Sequence, residues 1–166
     1  MRRIPLTNAP SQYTLVDDAD YRWLRQWPMR LDNRGYAVVI FGKKSVVPLH
    51  QMLCPLPPGS RRKCVDHRSR DRLDNRRSNL RLASRRQNSA NSSPRKGRRF
   101  QYTGVRPTPN GKRWVARIGA GGTHLGSFAT EIQAAQARDR AAIRLYGEFA
   151  RLNCPTRRRG RSNRTT

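Results

Sequence analysis

Residues 63–91 form the stretch that decides the fold, KCVDHRSRDRLDNRRSNLRLASRRQNSAN. Its apolar start predicts the end of a short β-strand at 65–67, and a polar loop follows over 68–77. Ser78 can cap a helix, which we predict over 79–90. Four side chains recur at helical spacing along that helix: Leu80, Ala83, Gln87 and Ala90. The stretch therefore predicts a strand, a loop and a helix in succession.

Four polar side chains suited to phosphodiester hydrolysis lie along this stretch: Asp66, His67, Asn79 and Asn88. Hydrolysis needs an activated water, a cation on the phosphate oxygens and help for the leaving oxygen. Asp66 and the Asn88 amide oxygen are donors that a hard cation prefers, and His67, with an ordinary pKa near ~6.5, suits the base. Neighbours on a regular strand point to opposite faces, so Asp66 and His67 share a site only where the strand ends or bulges. Because an Asp-His pair in a basic loop is more often a surface salt bridge, the residues alone leave both interpretations open.

A zinc site is a competing interpretation. Four soft or borderline ligands lie at short spacing and could form a structural tetrahedral site: His50, Cys54, Cys64 and His67. In that arrangement His67 is a ligand and not a base, and Asp66 and Asn88 have no role. Without zinc, the two cysteines are interpreted as small buried hydrophobic residues.

The charge of the chain indicates an anionic partner. Its 166 residues include 36 Lys and Arg against 10 Asp and Glu, a formal net charge of +26. Nucleic acid is the first candidate, and an anionic membrane surface is the second. Residues 60–99 hold 15 of the basic and 3 of the acidic side chains. Residues 156–166 hold no apolar side chain and are interpreted as an arm that either adds phosphate affinity or solubilises the chain.

We expect neither a membrane-spanning nor a secreted protein. No run of ~18 apolar residues is present, and no apolar signal segment follows Met1-Arg2-Arg3. The three cysteines form no dense framework, which is typical of a reducing cytoplasm. The expected location is cytoplasmic, in a bacterial host cell if the protein is phage-encoded.

Composition divides the chain into five segments. We expect an irregular lead-in over 1–12, a first domain over 13–92, a linker over 93–99, a second domain over 100–154 and a disordered basic tail over 155–166.

Three more elements are predicted in the first domain. The acidic residues of 17–20 begin a short helix. A hairpin joins strands 35–41 and 45–48 through the turn Gly42-Lys43-Lys44. A second short helix occupies 49–53 and is ended by the prolines that follow.

The first domain resembles the HNH endonuclease family, and more narrowly its phage-type homing and intron-encoded members. Five spaced motifs carry the resemblance: Leu49-His50, Val65-Asp66-His67, Leu73-Asp74-Asn75, Ser78-Asn79-Leu80-Arg81 and Gln87-Asn88-Ser89-Ala90-Asn91. It covers about 12–92 and implies a ββα-metal fold with one divalent cation, Mg²⁺ or Mn²⁺. It also implies that His67 is the general base and that Asp66 and Asn88 bind the metal. The Asn79 position in that family braces the loop through hydrogen bonds to the backbone.

Two positions depart from the family pattern. The family loop after the Asp-His pair is often Ile-Asp-Gly-Asn-like, whereas residues 68–72 read RSRDR and contain no glycine. An aromatic residue usually follows the Asn-Leu-Arg motif, but Leu82 stands there. Both departures leave the identities of the implied ligands unchanged and put the conformation of the loop in doubt.

The second domain is predicted to have three strands and one helix. The strands cover 102–106, 113–118 and 123–128, and a helix over 131–146 begins after Thr130 and ends at Gly147. Alternation places Trp114, Ala116 and Ile118 against the helix and Arg113, Val115 and Arg117 on the opposite face. The buried helix face is predicted from its small residues: Ala134, Ala137, Ala141 and Leu145.

This domain resembles the plant ethylene-response-factor (Apetala-class) DNA-binding domain. The matching segments include Tyr102–Arg106, Leu125–Phe128 and the alanine-rich helix, and the resemblance covers about 100–154. It implies that the sheet enters the major groove of duplex DNA. We expect six residues to contact DNA: Arg106, Arg113, Arg117 and His124 in this domain, and Arg70 and Arg85 in the first. A solvated sheet face is the alternative, and Thr103, Gly119, Gly122 and His124 differ from the plant residues, so the plant target sequence is not transferred.

Together these features predict an α+β protein that is a metal-dependent DNA endonuclease of the HNH, homing-like type. We expect 5′-phosphate and 3′-hydroxyl products from double-stranded DNA, with no membrane partner and no small-molecule substrate. A monomer is expected to nick, whereas a dimer could cut both strands. The alternative is a catalytically inactive phage DNA-binding or regulatory protein.

Overall fold

The computed structural model of the protein describes residues 1–42, 45–93 and 100–155. The Lys43-Lys44 turn, the linker beyond residue 93 and the basic tail beyond residue 155, all expected from the sequence, lie outside the described residues. The chain divides into two compact units, Met1–Ser93 and Pro94–Thr166. Its architecture is mixed, with small antiparallel sheets and few helices. Among the described residues, no helix is long and apolar enough to cross a membrane.

The described residues of the first unit form seven strands, three short α-helices and one 3₁₀ turn, Arg77–Asn79. The strands are β1 (Arg2–Leu6), β2 (Ala9–Val16), β3 (Met29–Leu31), β4 (Ala37–Phe41), β5 (Ser45–Pro48), β6 (Lys63–His67) and β7 (Leu80–Ser84). The helices are α1 (Asp18–Leu24), α2 (Leu49–Leu53) and α3 (Arg85–Asn91). The strands form three antiparallel sheets, β1-β2, β3-β4-β5 and β6-β7. The predictions of α1, α2 and the β4-β5 hairpin are confirmed.

The predicted irregular lead-in over 1–12 is wrong, because this segment forms the β1-β2 hairpin. The two strands pair from Arg2 opposite Val16 to Leu6 opposite Ala9, with a register shift after Pro5. Ile4 and Leu6 alternate with exposed residues and enter the core of the unit. A proline is compatible with such a strand because a two-stranded sheet has only edge strands.

The predicted helix over 79–90 is wrong in its first half and right over 85–90. Leu80–Ser84 is strand β7, paired with β6 from Lys63 opposite Ser84 to His67 opposite Leu80. The helix begins only at Arg85, because Ser84 forms a capping box in which it accepts a hydrogen bond from the Gln87 N–H and the Gln87 side chain accepts one from the Ser84 N–H. Leu80 and Ala83 therefore belong to a strand, whereas Gln87 and Ala90 belong to the short helix that follows it.

The second unit is a three-stranded sheet packed on one helix. Its elements are β8 (Val105–Pro107), β9 (Trp114–Ile118), β10 (Thr123–Phe128) and α4 (Glu131–Tyr146), with strand order β10-β9-β8. Thr130 and Gln133 form a capping box at the start of α4. Ala116 and Ile118 face the core, as the alternation predicted.

The predicted buried face of α4 is partly wrong. Leu145 is 50% exposed and Ala137 is half-buried, whereas Ala135 and Ala142 are fully buried. The face is shifted because Asp139 is also buried and accepts backbone hydrogen bonds from Asn153 (2.9 Å) and Cys154 (2.8 Å). The helix therefore uses a carboxylate to hold the segment that follows it.

Candidate active site

Asp66 and His67 end strand β6 but lie in different surroundings. The register is regular through both residues, with Asp66 opposite Arg81 and His67 opposite Leu80. Their side chains therefore point to opposite faces of the strand. No bulge brings them together and they contact different neighbours, but both lie at the end of β6, where His67 is the last residue of the strand.

His67 lies in a cluster with the buried His50 and Asn75 and the half-buried Tyr36. Its ring centroid is 5.3 Å from that of His50 and 5.8 Å from that of Tyr36. Its Nε2 lies 3.2 Å from Asn75 Oδ1. Arg72 places its guanidinium over the Tyr36 ring, 4.8 Å from the centroid. The His67 imidazole is thus in contact with the Asn75 amide and with the rings of Tyr36 and His50.

Burial keeps both imidazoles of this cluster neutral. It lowers the pKa of His67 below its ordinary 6.5, against the opposing effect of the Asn75 hydrogen bond. Burial and the neighbouring His67 lower the pKa of His50 to about 4. His50 Nδ1 is buried, and it has no hydrogen-bond partner within the parts of the chain that the structure describes. His67 is therefore uncharged at neutral pH, the form that accepts a proton.

On the opposite face of β6, the Asp66 carboxylate accepts hydrogen bonds from two side chains, a guanidinium and an amide. The Arg81 guanidinium donates to Asp66 Oδ2 at 2.9 Å, and both side chains are buried. Asn91 Nδ2 donates to the two carboxylate oxygens at 3.0 and 3.1 Å and also to the His67 carbonyl at 2.9 Å. A cation that binds Asp66 must therefore compete with Arg81 and Asn91.

Asn88 lies on the same side of β6 as Asp66. Burial, followed by the Asp66 charge, raises the pKa of the Cys64 thiol, and a side-chain hydrogen bond with Asn88 opposes that rise. Because Cys64 and Asp66 are two residues apart on a regular strand, their side chains share one face. The Asp66 and Asn88 oxygens are of the kind that Mg²⁺ prefers, so the donors fit a hard cation in their chemistry.

The alternative zinc site is not formed. Among the described residues, which include all four candidate ligands, no three His, Cys, Asp or Glu side chains are grouped so as to hold a metal ion. His50 and His67 contact each other through their rings, while Cys64 lies near Asn88. The described structure therefore does not group the four candidate zinc ligands.

Asn79 connects the two ends of the loop after β6. Its side-chain oxygen accepts a hydrogen bond from the Ser69 N–H at 2.8 Å, and its amide donates to the Asp74 carbonyl at 2.6 Å. Its own carbonyl accepts from the Arg68 N–H. Within this loop Arg70 has a φ of +68°, and it is the one non-glycine residue with positive φ among those the structure describes. Arg70 occupies the place where the family loop has glycine, which explains why glycine suits that place.

The expected DNA contacts are exposed in both units. Arg70 lies in the loop after β6, and Arg85 lies in the first turn of α3. In the second unit, Arg117 and His124 are paired across β9 and β10, and Arg106 is paired with Val115 across β8 and β9. Arg113 donates to the Ser127 carbonyl at 2.7 Å. The outer face of the second sheet is therefore basic.

Comparison with known proteins finds similarity in two parts. A family model described as HNH endonuclease matches residues 51–90, a segment that contains Asp66, His67, Asn79 and Asn88. Dehydration-responsive element-binding protein 2H of Arabidopsis thaliana is 47% identical over 58 residues, which is 32% of this chain and 36% of that protein. Dehydration-responsive element-binding protein 2E of the same plant is 43% identical over 67 residues, 33% of this chain and 27% of that protein. The chain thus spans about a third of the length of these curated relatives.

Several residues that contact the candidate site were given no role by the sequence analysis. Arg81 and Asn91 belong to motifs that were recognised, but no role was given to them. Thr14, which contacts Asn75, lies in strand β2, far along the chain. The paired register of β6 and β7 would have placed Arg81 opposite Asp66, had β7 been predicted as a strand.

Proposed function

We propose that the protein is a metal-dependent DNA endonuclease of the HNH type that hydrolyses phosphodiester bonds to 5′-phosphate and 3′-hydroxyl ends. The observation that carries this proposal is the family match over 51–90, because it spans β6, the braced loop, β7 and most of α3. That segment contains a buried neutral histidine, a carboxylate and two asparagines at the spacing of the motif.

His67 is the general base. Its low pKa keeps one ring nitrogen unprotonated at neutral pH, so it accepts a proton from the attacking water. Asn79 acts through the loop, because its two side-chain hydrogen bonds fix the backbone that follows His67. A rigid base is effective because the reacting atoms need a narrow range of distances.

Asp66 and Asn88 are the residues that would hold the divalent cation, Mg²⁺ or Mn²⁺. When bound, such a cation would stabilise charge on the phosphate and on the leaving oxygen. Arg81 and Asn91 are the present partners of Asp66, so a cation would have to share the carboxylate with them or displace them.

The second unit supplies target binding. The names of the Arabidopsis relatives describe binding to a dehydration-responsive element, and their matches cover 32% and 33% of this chain. Arg106, Arg113, Arg117 and His124 on the outer sheet face are the proposed contacts, together with Arg70 and Arg85. The homing-like role, phage origin and nicking by a monomer are proposed from the HNH resemblance.

Product analysis tests the reaction. Supercoiled plasmid is incubated with the protein in Mg²⁺, in Mn²⁺ and in EDTA, and the nicked product is treated with DNA ligase without prior end repair. We expect nicking with either metal and resealing by ligase, since ligase needs adjacent 5′-phosphate and 3′-hydroxyl ends. Nicks that resist ligase would contradict the proposed products, and DNA binding without any nicking would favour the inactive regulatory protein.

The role of the sheet is tested separately. Replacement of Arg117 by alanine is expected to reduce preference for a selected target more than affinity for random DNA. Equal losses on both DNAs would mean that Arg117 contacts phosphate only.

A further inference from the structure

A chain of buried hydrogen bonds leads from strand β2 to His67. Thr14 and Asn75 are both fully buried. Asn75 Nδ2 donates to Thr14 Oγ1 at 2.9 Å, and it lies 3.3 Å from the Arg72 carbonyl. Thr14 Oγ1 in turn donates to the Leu73 carbonyl at 2.8 Å. Asn75 Oδ1 is the atom that faces His67 Nε2, at 3.2 Å.

The direction of these bonds determines which nitrogen of His67 carries the proton. A hydroxyl has one hydrogen, and that of Thr14 is used on the Leu73 carbonyl, so Thr14 accepts from Asn75. The Asn75 amide therefore turns its NH₂ group toward Thr14 and Arg72 and its oxygen toward His67. An oxygen accepts only, so His67 Nε2 must donate. In the neutral ring, Nδ1 then has the free lone pair.

The opposite orientation of the Asn75 amide is disfavoured by its surroundings. A flipped amide would place its oxygen against the Arg72 carbonyl. The single Thr14 hydroxyl hydrogen would then have two acceptors, the Leu73 carbonyl and the Asn75 oxygen. A buried acceptor without a donor destabilises the folded state. The orientation seen is therefore the one in which every group of the chain is satisfied.

The β1-β2 hairpin is fixed to the loop that carries Asn75. The Leu15 N–H donates to the Leu73 carbonyl at 2.8 Å, and the Asn75 N–H donates to the Leu15 carbonyl at 2.9 Å. Thr14 cannot shift relative to Asn75 without breaking these backbone bonds. Thr14 and Leu15 lie outside residues 51–90, the segment that the HNH family model matches, whereas Leu73 and Asn75 lie within it.

We propose that Thr14 and Asn75 are positioning residues that set the Nε2–H tautomer of His67, so that Nδ1 is the nitrogen that accepts the proton from water. This inference rests on the proposed endonuclease function. It makes the N-terminal hairpin part of the active-site machinery, because the hydroxyl that orients Asn75 comes from β2.

The tautomer is measured by ¹⁵N NMR of the full-length protein, at a pH where the ring is neutral. The two-bond correlations of His67 distinguish Nε2–H from Nδ1–H directly. We expect the Nε2–H form in the wild type. Thr14→Val keeps the shape and removes the hydroxyl, so Asn75 Nδ2 retains only its longer contact with the Arg72 carbonyl and a mixture of tautomers should appear. Thr14→Ser restores the hydroxyl and should restore the Nε2–H pattern.

Thr7→Val is the control for removal of another hairpin hydroxyl. Thr7 Oγ1 also donates to a backbone carbonyl, that of Met29 at 3.0 Å, but Thr7 is exposed and lies in the turn of the hairpin. We expect this variant to leave the His67 tautomer unchanged. Nδ1–H in the wild type, or an unchanged Nε2–H pattern in Thr14→Val, would overturn the proposal.

Nicking kinetics distinguish this inference from the proposed function. Thr14→Val is expected to lower kcat roughly tenfold with KM for DNA unchanged, as for a loss of one hydrogen bond at the base, and Thr14→Ser should recover the rate. If the wild type nicks no DNA but the tautomer depends on Thr14, the hydrogen-bond chain stands and the endonuclease proposal fails. If DNA is nicked but the His67 tautomer is the same in Thr14→Val as in the wild type, the inference alone fails.

Discussion

Asp66 and Arg81 form a buried ion pair across strands β6 and β7, with Arg81 Nε 2.9 Å from Asp66 Oδ2. The side chains retain 5% and 7% of their exposure, respectively. The pair joins the proposed metal ligand to a cation that the protein itself supplies. It also gives the β6-β7 hairpin an electrostatic contact that the sequence does not display, because the two residues are 15 positions apart.

Removal of one partner of this ion pair should destabilise the protein. Asp66→Leu leaves the Arg81 charge buried without its carboxylate, which typically costs about 3–5 kcal/mol. The double variant Asp66→Leu/Arg81→Met removes both charges and should recover most of the loss. Urea unfolding of the wild type, of the single variants Asp66→Leu and Arg81→Met, and of the double variant measures the four free energies of unfolding. A double variant less stable than Asp66→Leu alone would contradict the pairing.

Glycine at position 70 should relieve the backbone strain in the loop after β6. Arg70 has a φ of +68°, which costs a non-glycine residue about 1 kcal/mol. Arg70→Gly and Arg70→Ala both remove the guanidinium, but only glycine accepts the positive φ. We expect the free energy of unfolding of the glycine variant to exceed that of the alanine variant by about 1 kcal/mol, as measured by denaturant titration. Both should lose the same DNA affinity, and the salt dependence of binding should fall by about one phosphate contact. Equal stabilities would contradict the strained backbone.

In the second unit, Gly104 should tolerate no side chain. A Cβ at this position meets the Arg117 carbonyl of the backbone, and φ is +74°. Because backbone on the neighbouring strand cannot move aside, Gly104→Ala is expected to cost more than ~2 kcal/mol. Gly111→Ala is the control, since its φ is +69° and nothing lies within 4 Å of the added Cβ. Thermal unfolding of the two variants should separate the cost of close approach from the cost of positive φ, and similar losses would contradict the contact.

Much of the fold follows from local signals in the sequence. Helix α4 was predicted because Thr130 caps it and Gly147 ends it, and the β4-β5 hairpin because two β-branched runs flank a glycine turn. The β1-β2 hairpin and β7 were missed because their pairing depends on partners elsewhere in the chain. For β7, Ser78 and Ser84 were both suitable caps, and only pairing with β6 selects Ser84.

The site was predictable in its motif residues and not in their contacts. Asp66, His67, Asn79 and Asn88 were named from spacing, yet Asp66 and His67 turned out to lie on opposite faces of one strand. Thr14 reaches Asn75 across 61 positions, which no local pattern encodes. Side-chain chemistry is thus visible in the sequence, whereas its orientation depends on tertiary pairing.

Stability should fall as the pH falls below 6.5. Burial lowers the pKa of His50 to about 4 in the folded state, so the unfolded chain binds more protons between pH 6.5 and about 4. The free energy of unfolding should therefore be highest above pH 6.5 and decrease through this window, by up to ~1.4 kcal/mol per pH unit for each such group. His50→Phe fills the same space and should reduce the slope, with the part due to His67 remaining. Denaturant unfolding across this window checks the slope, and an unchanged slope in His50→Phe would contradict the assignment.

The central claim is that His67 is the base of a DNA-cutting site, and single-turnover nicking of supercoiled plasmid at saturating protein tests it most directly. The wild type is compared with His67→Ala and with His67→Gln, which retains more of the volume, after equal plasmid binding has been shown. We expect nicking by the wild type in Mg²⁺ and none in EDTA. Both variants should bind DNA with wild-type affinity and nick at least ~100-fold more slowly. Wild-type rates in folded His67 variants would contradict the claim.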